Sequence, residues 1–144
     1  MRKRPMKLSK AVSELIRLGE ASHAYWDREL PKRHPHYPVI RAGEGSVPPP
    51  PEDAQIQALL RNLSEDQIYA LVLLTYVGRG DYSADHLQLG YQAVREAFPT
   101  KELAIAQMTG SNTLAEYLAD AMQELDSHHI DLDSLHFAGT VAVS

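Results

Sequence analysis

The segment Ser64–Tyr82 constrains the fold most, because it has the pattern of one buried helix that ends in a glycine turn. Ser64 and Gln67 have the spacing of a capping box, in which a hydroxyl and an amide exchange hydrogen bonds with the first turn. Residues 68–77 are apolar on nearly every face, so this helix needs cover from several sides. The sequence therefore predicts it as the centre of the core. Its predicted core residues include Leu71 and Leu74.

Glycines mark the end of this segment. Gly78 and Gly80 permit the left-handed backbone with which many helices end. Ser83 then stands where its side chain can cap a following helix. We therefore expect a turn after Val77 and a new helix after Ser83.

Apolar residues recur at steps of three and four in five further segments, which predicts helices there. The segment from Glu52 is either a separate helix or a leading turn of the central one. Together these segments predict an all-α fold, a compact bundle of five to six helices around the buried central helix. Their predicted bounds are Ser9 to about Trp26, Glu52–Leu63, Ala84–Phe98, Thr100–Gly110, and Ser111 or Asn112 to about His128.

The first helix is followed by a proline-rich linker, residues 31–51, which holds seven of the nine prolines. Proline disrupts helix interiors and central strands, so we expect irregular structure there, partly mobile or laid over a neighbour. At 144 residues the chain suits a single helical domain, 1–144. Within it we place a basic arm at 1–8 and a tail at 129–144. The tail is either ordered without regular structure, which we favour, or a short terminal strand.

Charge is divided unevenly along the chain. Residues 1–41 hold ten Lys/Arg against four Asp/Glu, a net of +6, whereas residues 42–144 hold four against fifteen, a net of −11. A basic arm of this kind has two functional interpretations, binding to nucleic acid and binding to an acidic partner. It has two structural ones: the arm folds onto its own acidic domain, or it stays solvated. We favour the last two readings.

Composition and residue spacing limit the kinds of chemical site that the chain can form. The chain has no cysteine, which excludes disulfides and thiolate sites. Two clusters are candidates for a metal site: His34 with His36, and His128-His129 with Asp126, Asp131 and His136. Neither has the four-residue helical spacing of a zinc site, so we expect no metal and no cofactor. The longest apolar run is far below the roughly 20 residues of a membrane span. We expect a cytoplasmic protein that does not enter a membrane.

The densest polar group is the candidate functional turn Arg79, Asp81, Tyr82 and His86, with Asp85 beside it. An arginine there could hold a carboxylate or phosphate, with His86 or Asp81 as the base. The sequence has no nucleophile elbow, phosphate-binding glycine loop or dinucleotide fingerprint. An Arg–Asp pair that braces the turn is the commoner arrangement, so an enzyme is the less favoured interpretation.

The passage across Gly78 to Ser83 also resembles a helix–turn–helix. Its second helix, Ala84–Phe98, offers only Arg95 as a cation, opposed by Asp85 and Glu96. Phosphate contacts supply most of the affinity for nucleic acid. We therefore do not expect this helix to bind nucleic acid.

Residues 71–77 followed by Gly78-Arg79-Gly80-Asp81-Tyr82, and then Leu114-Ala115-Glu116-Tyr117-Leu118 after the Gly110 turn, carry a family resemblance. The chain resembles the bacterial domain-of-unknown-function family numbered 3775. The likeness extends over roughly Leu59–Leu125. It implies a small helical domain and supplies no activity.

The leading functional hypothesis is a non-enzymatic binding or regulatory module that acts by self-association or through a protein partner. It rests on the charge division, the proline-rich linker and the absence of a catalytic motif. Two alternatives stay open: a small enzyme with its site at the Arg79–His86 turn, and a nucleic-acid accessory protein that uses the basic arm.

Overall fold

The structure is a computed structural model that describes residues 6–33, 48–110, 113–135 and 137. Short 3₁₀ turns lie at Ala84–His86 and Leu132–Ser134, and no strand occurs in the described ranges. The all-α prediction is confirmed. The helices are α1 (Leu8–Arg33), α2 (Pro51–Asn62), α3 (Glu65–Arg79), α4 (Leu87–Ala97), α5 (Lys101–Thr109) and α6 (Leu114–Ser127).

Helix α3 is the centre of the core, as its apolar pattern predicts. Every residue from Ile68 to Thr75 is buried, and Leu71 and Leu74 are both almost completely inaccessible to solvent. The helix packs against α4, α5 and most extensively α6, while α6 also packs against α1, and α1 against α2. The two hydroxyls of this stretch are both satisfied, since Thr75 donates to the Val72 carbonyl at 2.6 Å and Tyr69 donates to the Phe98 carbonyl at 2.5 Å.

The predicted start of α3 and its end at Gly80 are confirmed, but the turn expected after Val77 begins two residues later, because α3 continues through Gly78 and Arg79. The Ser64 hydroxyl accepts from the Gln67 backbone N–H, and the Gln67 side chain accepts from the Ser64 N–H, each at 3.1 Å. At the other end Gly80 has a φ of 90°, and the Asp81 N–H donates back to the Tyr76 carbonyl at 2.8 Å. Left-handed backbone at this position favours glycine, which is why the helix ends there.

Gly78 has a different role from the predicted one. It lies inside α3, where a side-chain Cβ would fall 1.9 Å from the backbone oxygen of Tyr117 in α6. Gly19 in α1 approaches the other side of α6, since a Cβ there would lie 2.8 Å from the Cβ of Ala115. The two glycines therefore let α3 and α1 pack closely on α6.

The first helix and the proline-rich linker have different bounds from the predicted ones. Helix α1 continues past Trp26 to Arg33 and includes Pro31 in its last turn, while Pro51 begins α2. Proline suits a first helical position because its φ is already helical and its missing N–H is not needed there. Pro48–Pro50 lies over α1, with the Pro48 carbonyl accepting from Tyr25 at 2.5 Å. Residues 34–47 lie outside the described residues.

Two predicted helix starts are wrong. Ser83 does not cap the next helix with its side chain, because its hydroxyl contacts the His86 ring at 3.0 Å and a 3₁₀ turn precedes α4. Helix α6 begins at Leu114 after Thr113 rather than at Ser111 or Asn112, which lie outside the described residues. The start of α5 is as predicted, since Thr100 accepts from the Leu103 N–H at 3.2 Å.

The segment after α6 packs onto the bundle without forming a strand in its described part, residues 129–135 and 137. Leu132 is buried, and the Phe137 ring stacks on Tyr91 of α4 at 4.4 Å. Asp133 accepts from the Ser9 backbone N–H at 2.9 Å and from the Ser9 hydroxyl at 2.5 Å. The C-terminal segment thus supplies a cap for the start of α1. These bonds hold the pKa of Asp133 below its usual range.

Asp133→Ala is expected to lower the free energy of unfolding by about 0.5–2 kcal/mol near neutral pH, the usual cost of losing a helix N-cap. Because folding lowers the pKa of Asp133, its contribution is present above the pKa of the unfolded chain and is lost as pH falls through the folded pKa. Urea unfolding at pH 7 and in acid measures both effects. Asp120→Ala, an exposed site on α6, is the control. A deficit that stays equal in acid would contradict this role.

Candidate functional site

Arg79 and Asp81 of the candidate functional turn form an ion pair. Arg79 Nε lies 3.3 Å from Asp81 Oδ2, and both side chains are 44% exposed. The Arg79 guanidinium also lies 5.2 Å from the centre of the Tyr76 ring, within cation–π range. The pair lies at the end of α3. It is the Arg–Asp arrangement that the sequence analysis favours over a catalytic site.

The other members of the turn have separate partners. His86 is exposed and its Nδ1 contacts the Ser83 hydroxyl. Tyr82 is half-buried and packs over the face of α4 at Gly90. Asp85 is exposed. The contacts of Arg79 and His86 therefore do not converge, and a catalytic site at this turn stays a prediction.

Arg79 also lines a small concavity of about 220 Å³ between α3, α5 and the start of α6. His86 and Asp81 are not among its lining residues. The residues that line this concavity therefore include no histidine and no carboxylate. Its other lining residues are Thr75, Gln107, Met108, Thr113, Leu114 and Tyr117.

Arg95 of α4 is held within the protein. Its guanidinium lies 4.4 Å from the centre of the Tyr69 ring, and Nη1 lies 3.3 Å from Glu65 Oε1. Burial and the nearby Asp66 carboxylate raise the pKa of Tyr91 to about 12, so this hydroxyl stays protonated and donates to Asp66. Arg95, the one cation that the helix–turn–helix interpretation offers for binding nucleic acid, is thus already paired within the protein. This favours the prediction that α4 does not bind nucleic acid.

A larger concavity, here called the α1–α2 cleft, lies where α1 and α2 meet the end of α5 and the start of α6. Its volume is about 640 Å³, against about 220 Å³ for the concavity beside Arg79. Pockets of about 300–1,000 Å³ are typical of ligand sites. Its floor is apolar and buried, formed by Ile56, Met108, Leu114 and Ala115.

The polar groups of the cleft are held by hydrogen bonds between α1 and α2. Asp53 accepts from the Ser22 hydroxyl through Oδ1 and from Trp26 Nε1 through Oδ2, the latter at 3.3 Å. His23 Nε2 lies 3.1 Å from Asp27 Oδ2, and both of these side chains are exposed. The cleft therefore carries one carboxylate held by two hydrogen bonds, that of Asp53, and one exposed carboxylate, that of Asp27, above an apolar floor.

Ser22, His23 and the two aspartates bring the residue types of a catalytic triad into one cleft. In a triad the histidine accepts the serine proton and a carboxylate orients the histidine. Here the Ser22 hydroxyl donates to Asp53, while His23 contacts Asp27. The serine is bonded to a carboxylate instead of an imidazole, so this arrangement does not activate a nucleophile.

The predicted histidine clusters fall largely outside what the structure covers. His34, His36 and His136 lie outside the described residues. His128 Nε2 lies 3.3 Å from Glu124, and His129 takes a left-handed φ of 57° where α6 ends. Across the described part of the chain, no three histidine or acidic side chains are grouped so as to hold a metal ion. No helix in that part has the length and apolar character to cross a membrane.

No sequence prediction points to the cleft. His23 and Trp26 follow the apolar residues of α1 at steps of three and four, yet His23 is exposed and Trp26 is half-buried. The sequence carries one indication of a site on α1. Ser22, His23 and Trp26 place two polar groups and an indole together, which is atypical of a helix face that is buried in a core. No local pattern reveals that Asp53, across the proline-rich linker, is their partner.

Comparison with known proteins identifies one family. Residues 53–127 match the model of a family described as "Protein of unknown function (DUF3775)". The match covers just over half of the 144 residues and includes the candidate turn, α2 from Asp53 and all of α3–α6. No curated protein and no solved structure matches the chain.

Proposed function

The chain belongs to the DUF3775 family, whose description names no activity, and from its own contacts we propose that it is a non-enzymatic binding module for a protein partner. The binding site is the α1–α2 cleft, which receives a short segment of that partner. The observation that carries this proposal is the combination in one cleft of a buried apolar floor and fixed polar groups. Ligand sites have this composition, with few polar groups that set orientation.

The contacts support binding more than catalysis. Each polar side chain that could act as a nucleophile or base in the cleft already has a partner on its own or the neighbouring helix. Trp26 supplies a large, half-buried aromatic surface, a residue type enriched at sites where proteins bind one another. The cleft also lies between helices that pack on the rest of the bundle, α1 on α6, α2 on α1 and α5, and α5 on α3, so it is preformed. A preformed site loses less entropy on binding.

The test is selection of a displayed library of random heptapeptides on the full-length protein. Trp26 is the only tryptophan of the chain, so its fluorescence reports binding in the cleft. Ala54 is exposed and lines the cleft on α2, whereas Ala58 is exposed one helical turn later and does not line it. Ala54→Phe is expected to weaken the selected peptides at least tenfold, and Ala58→Phe to leave them unchanged.

Circular dichroism and urea unfolding show whether both variants remain folded. Should Ala54→Phe fail to fold, Ala54→Gln gives a smaller obstruction at the same position. The proposal is overturned if the library yields no binding peptide. It is also overturned if the selected peptides bind the Ala54 and Ala58 variants equally well and leave Trp26 fluorescence unchanged.

A further inference from the structure

The geometry of the α1–α2 cleft points to one class of contact, a lysine or arginine side chain of the partner segment. This inference rests on the proposed function and adds the chemistry of the occupant. The charged groups that line the cleft are the carboxylates of Asp27 and Asp53, beside the imidazole of His23. Among the described residues that line it, none is lysine or arginine. The cleft therefore attracts a cation and repels an anion.

The carboxylate of Asp53 is only partly committed to its intramolecular bonds. It receives one hydrogen bond on each oxygen, from Ser22 and from Trp26. A carboxylate offers about four lone-pair positions, so each oxygen can accept a further donor from a ligand. Both existing donors are neutral, which leaves the negative charge of Asp53 without a cationic partner among the described residues. An ammonium or guanidinium would supply that partner.

Trp26 and the end of α5 favour the same charge. The indole face attracts cations through its quadrupole, most strongly of the aromatic side chains. Thr109 and Gly110 bring the C-terminal end of α5 to the cleft, where free carbonyl groups carry partial negative charge. The positive N-terminal ends of α2 and α6, which also reach the cleft, act in the opposite direction. Glu52 in the first turn of α2 and Glu116 in that of α6 offset part of that positive charge.

The apolar floor explains why a side chain suits the cleft better than a bare ion. Lysine and arginine bury their methylene stems on apolar surfaces and keep the charged group at the polar edge. Ile56 and Met108 offer such a surface below the two carboxylates. The net charge of the whole chain, −5, agrees, since it would draw a basic segment toward the protein.

The experiment reads the composition of the peptides selected on the full-length protein. Lysine or arginine is expected at one fixed position of the peptides that shift Trp26 fluorescence. Replacing that residue by norleucine is expected to weaken binding about tenfold, and raising the salt concentration should weaken the parent peptide more than the norleucine form. Asp27→Asn should weaken the parent peptide about three- to tenfold and leave the norleucine form unchanged. Glu20→Gln, an exposed acid on α1 outside the cleft, is the matched control.

The outcomes separate this inference from the proposed function. In one outcome, the selected peptides are weakened by Ala54→Phe and yet carry only neutral or acidic residues at every fixed position. That result would overturn the cationic occupant and leave the proposed binding module intact. Equal losses from Asp27→Asn and Glu20→Gln would also overturn it, because they would show only a general charge effect. If no selected peptide is weakened by Ala54→Phe, both the proposed binding module and its cationic occupant would be overturned.

Discussion

Gly78→Ala is expected to lower the free energy of unfolding by about 3 kcal/mol, at the upper end of the cost of overpacking. The new methyl carbon would lie 1.9 Å from the Tyr117 backbone oxygen and 2.7 Å from its carbonyl carbon. These atoms belong to the backbone of α6 and cannot rotate away as the end of a side chain can. Relief therefore requires α3 and α6 to separate along their main contact. Urea unfolding followed by circular dichroism measures the loss.

Gly80→Ala is the matched control, two residues away. No atom lies within 4 Å of a Cβ at Gly80, so the methyl group meets open space. The cost there comes only from the φ of 90°, about 1–2 kcal/mol for a residue with a side chain. The expected order is therefore a larger loss at Gly78 than at Gly80. The reverse order would mean that the turn, and not the contact between α3 and α6, determines why this segment is rich in glycine.

The features of the fold that could be predicted are those encoded by neighbouring residues. Ser64 and Gln67 form a capping box across three positions, and Gly80 ends α3 through its own backbone freedom. The nearly continuous apolar run of α3 is equally local, since such a helix has no solvent face and must be covered. Each of these signals could be read without knowing which helix lies beside which.

The features that could not be predicted depend on residues far apart in the sequence. Gly78 looks like a second turn glycine until Tyr117 is known to press against it. Asp133 looks like part of a fading tail until its carboxylate is seen to bond Ser9, 124 residues away. Pro31 looks like a helix terminator, yet α1 continues two residues beyond it. Tertiary packing decides the first two cases, and helix propensity is a weak guide where packing opposes it.

The same distinction explains the candidate sites. Arg79, Asp81, Tyr82 and His86 stand out because they are close in sequence, but residues on a turn point in several directions and these do not converge. The α1–α2 cleft is instead assembled from four helices that meet around an indole and a carboxylate. Its key pair, Trp26 and Asp53, is separated by the whole proline-rich linker. Only the packing of α1 on α2 brings that pair together.

Leu71→Ala and Leu74→Ala are each expected to lower the free energy of unfolding by about 2–5 kcal/mol. Both side chains are at most 2% exposed, and both lie on α3, which is covered by α4, α5 and α6. Truncation removes buried methyl groups and leaves a cavity that a helix packed on three sides cannot close. Because native domains are stable by only about 5–15 kcal/mol, the double variant is expected to be largely unfolded at 25 °C. Urea unfolding of the single variants measures each cost.

Leu103→Ala on α5 is the control for these core substitutions. The Leu103 side chain is 52% exposed, so its truncation creates no enclosed cavity and should change stability by no more than about 0.5 kcal/mol. The comparison holds the chemical change constant and varies only burial. If the three leucines lost equal stability, the loss would reflect helix propensity or the unfolded chain. Helix α3 would then not be the centre on which the other helices pack.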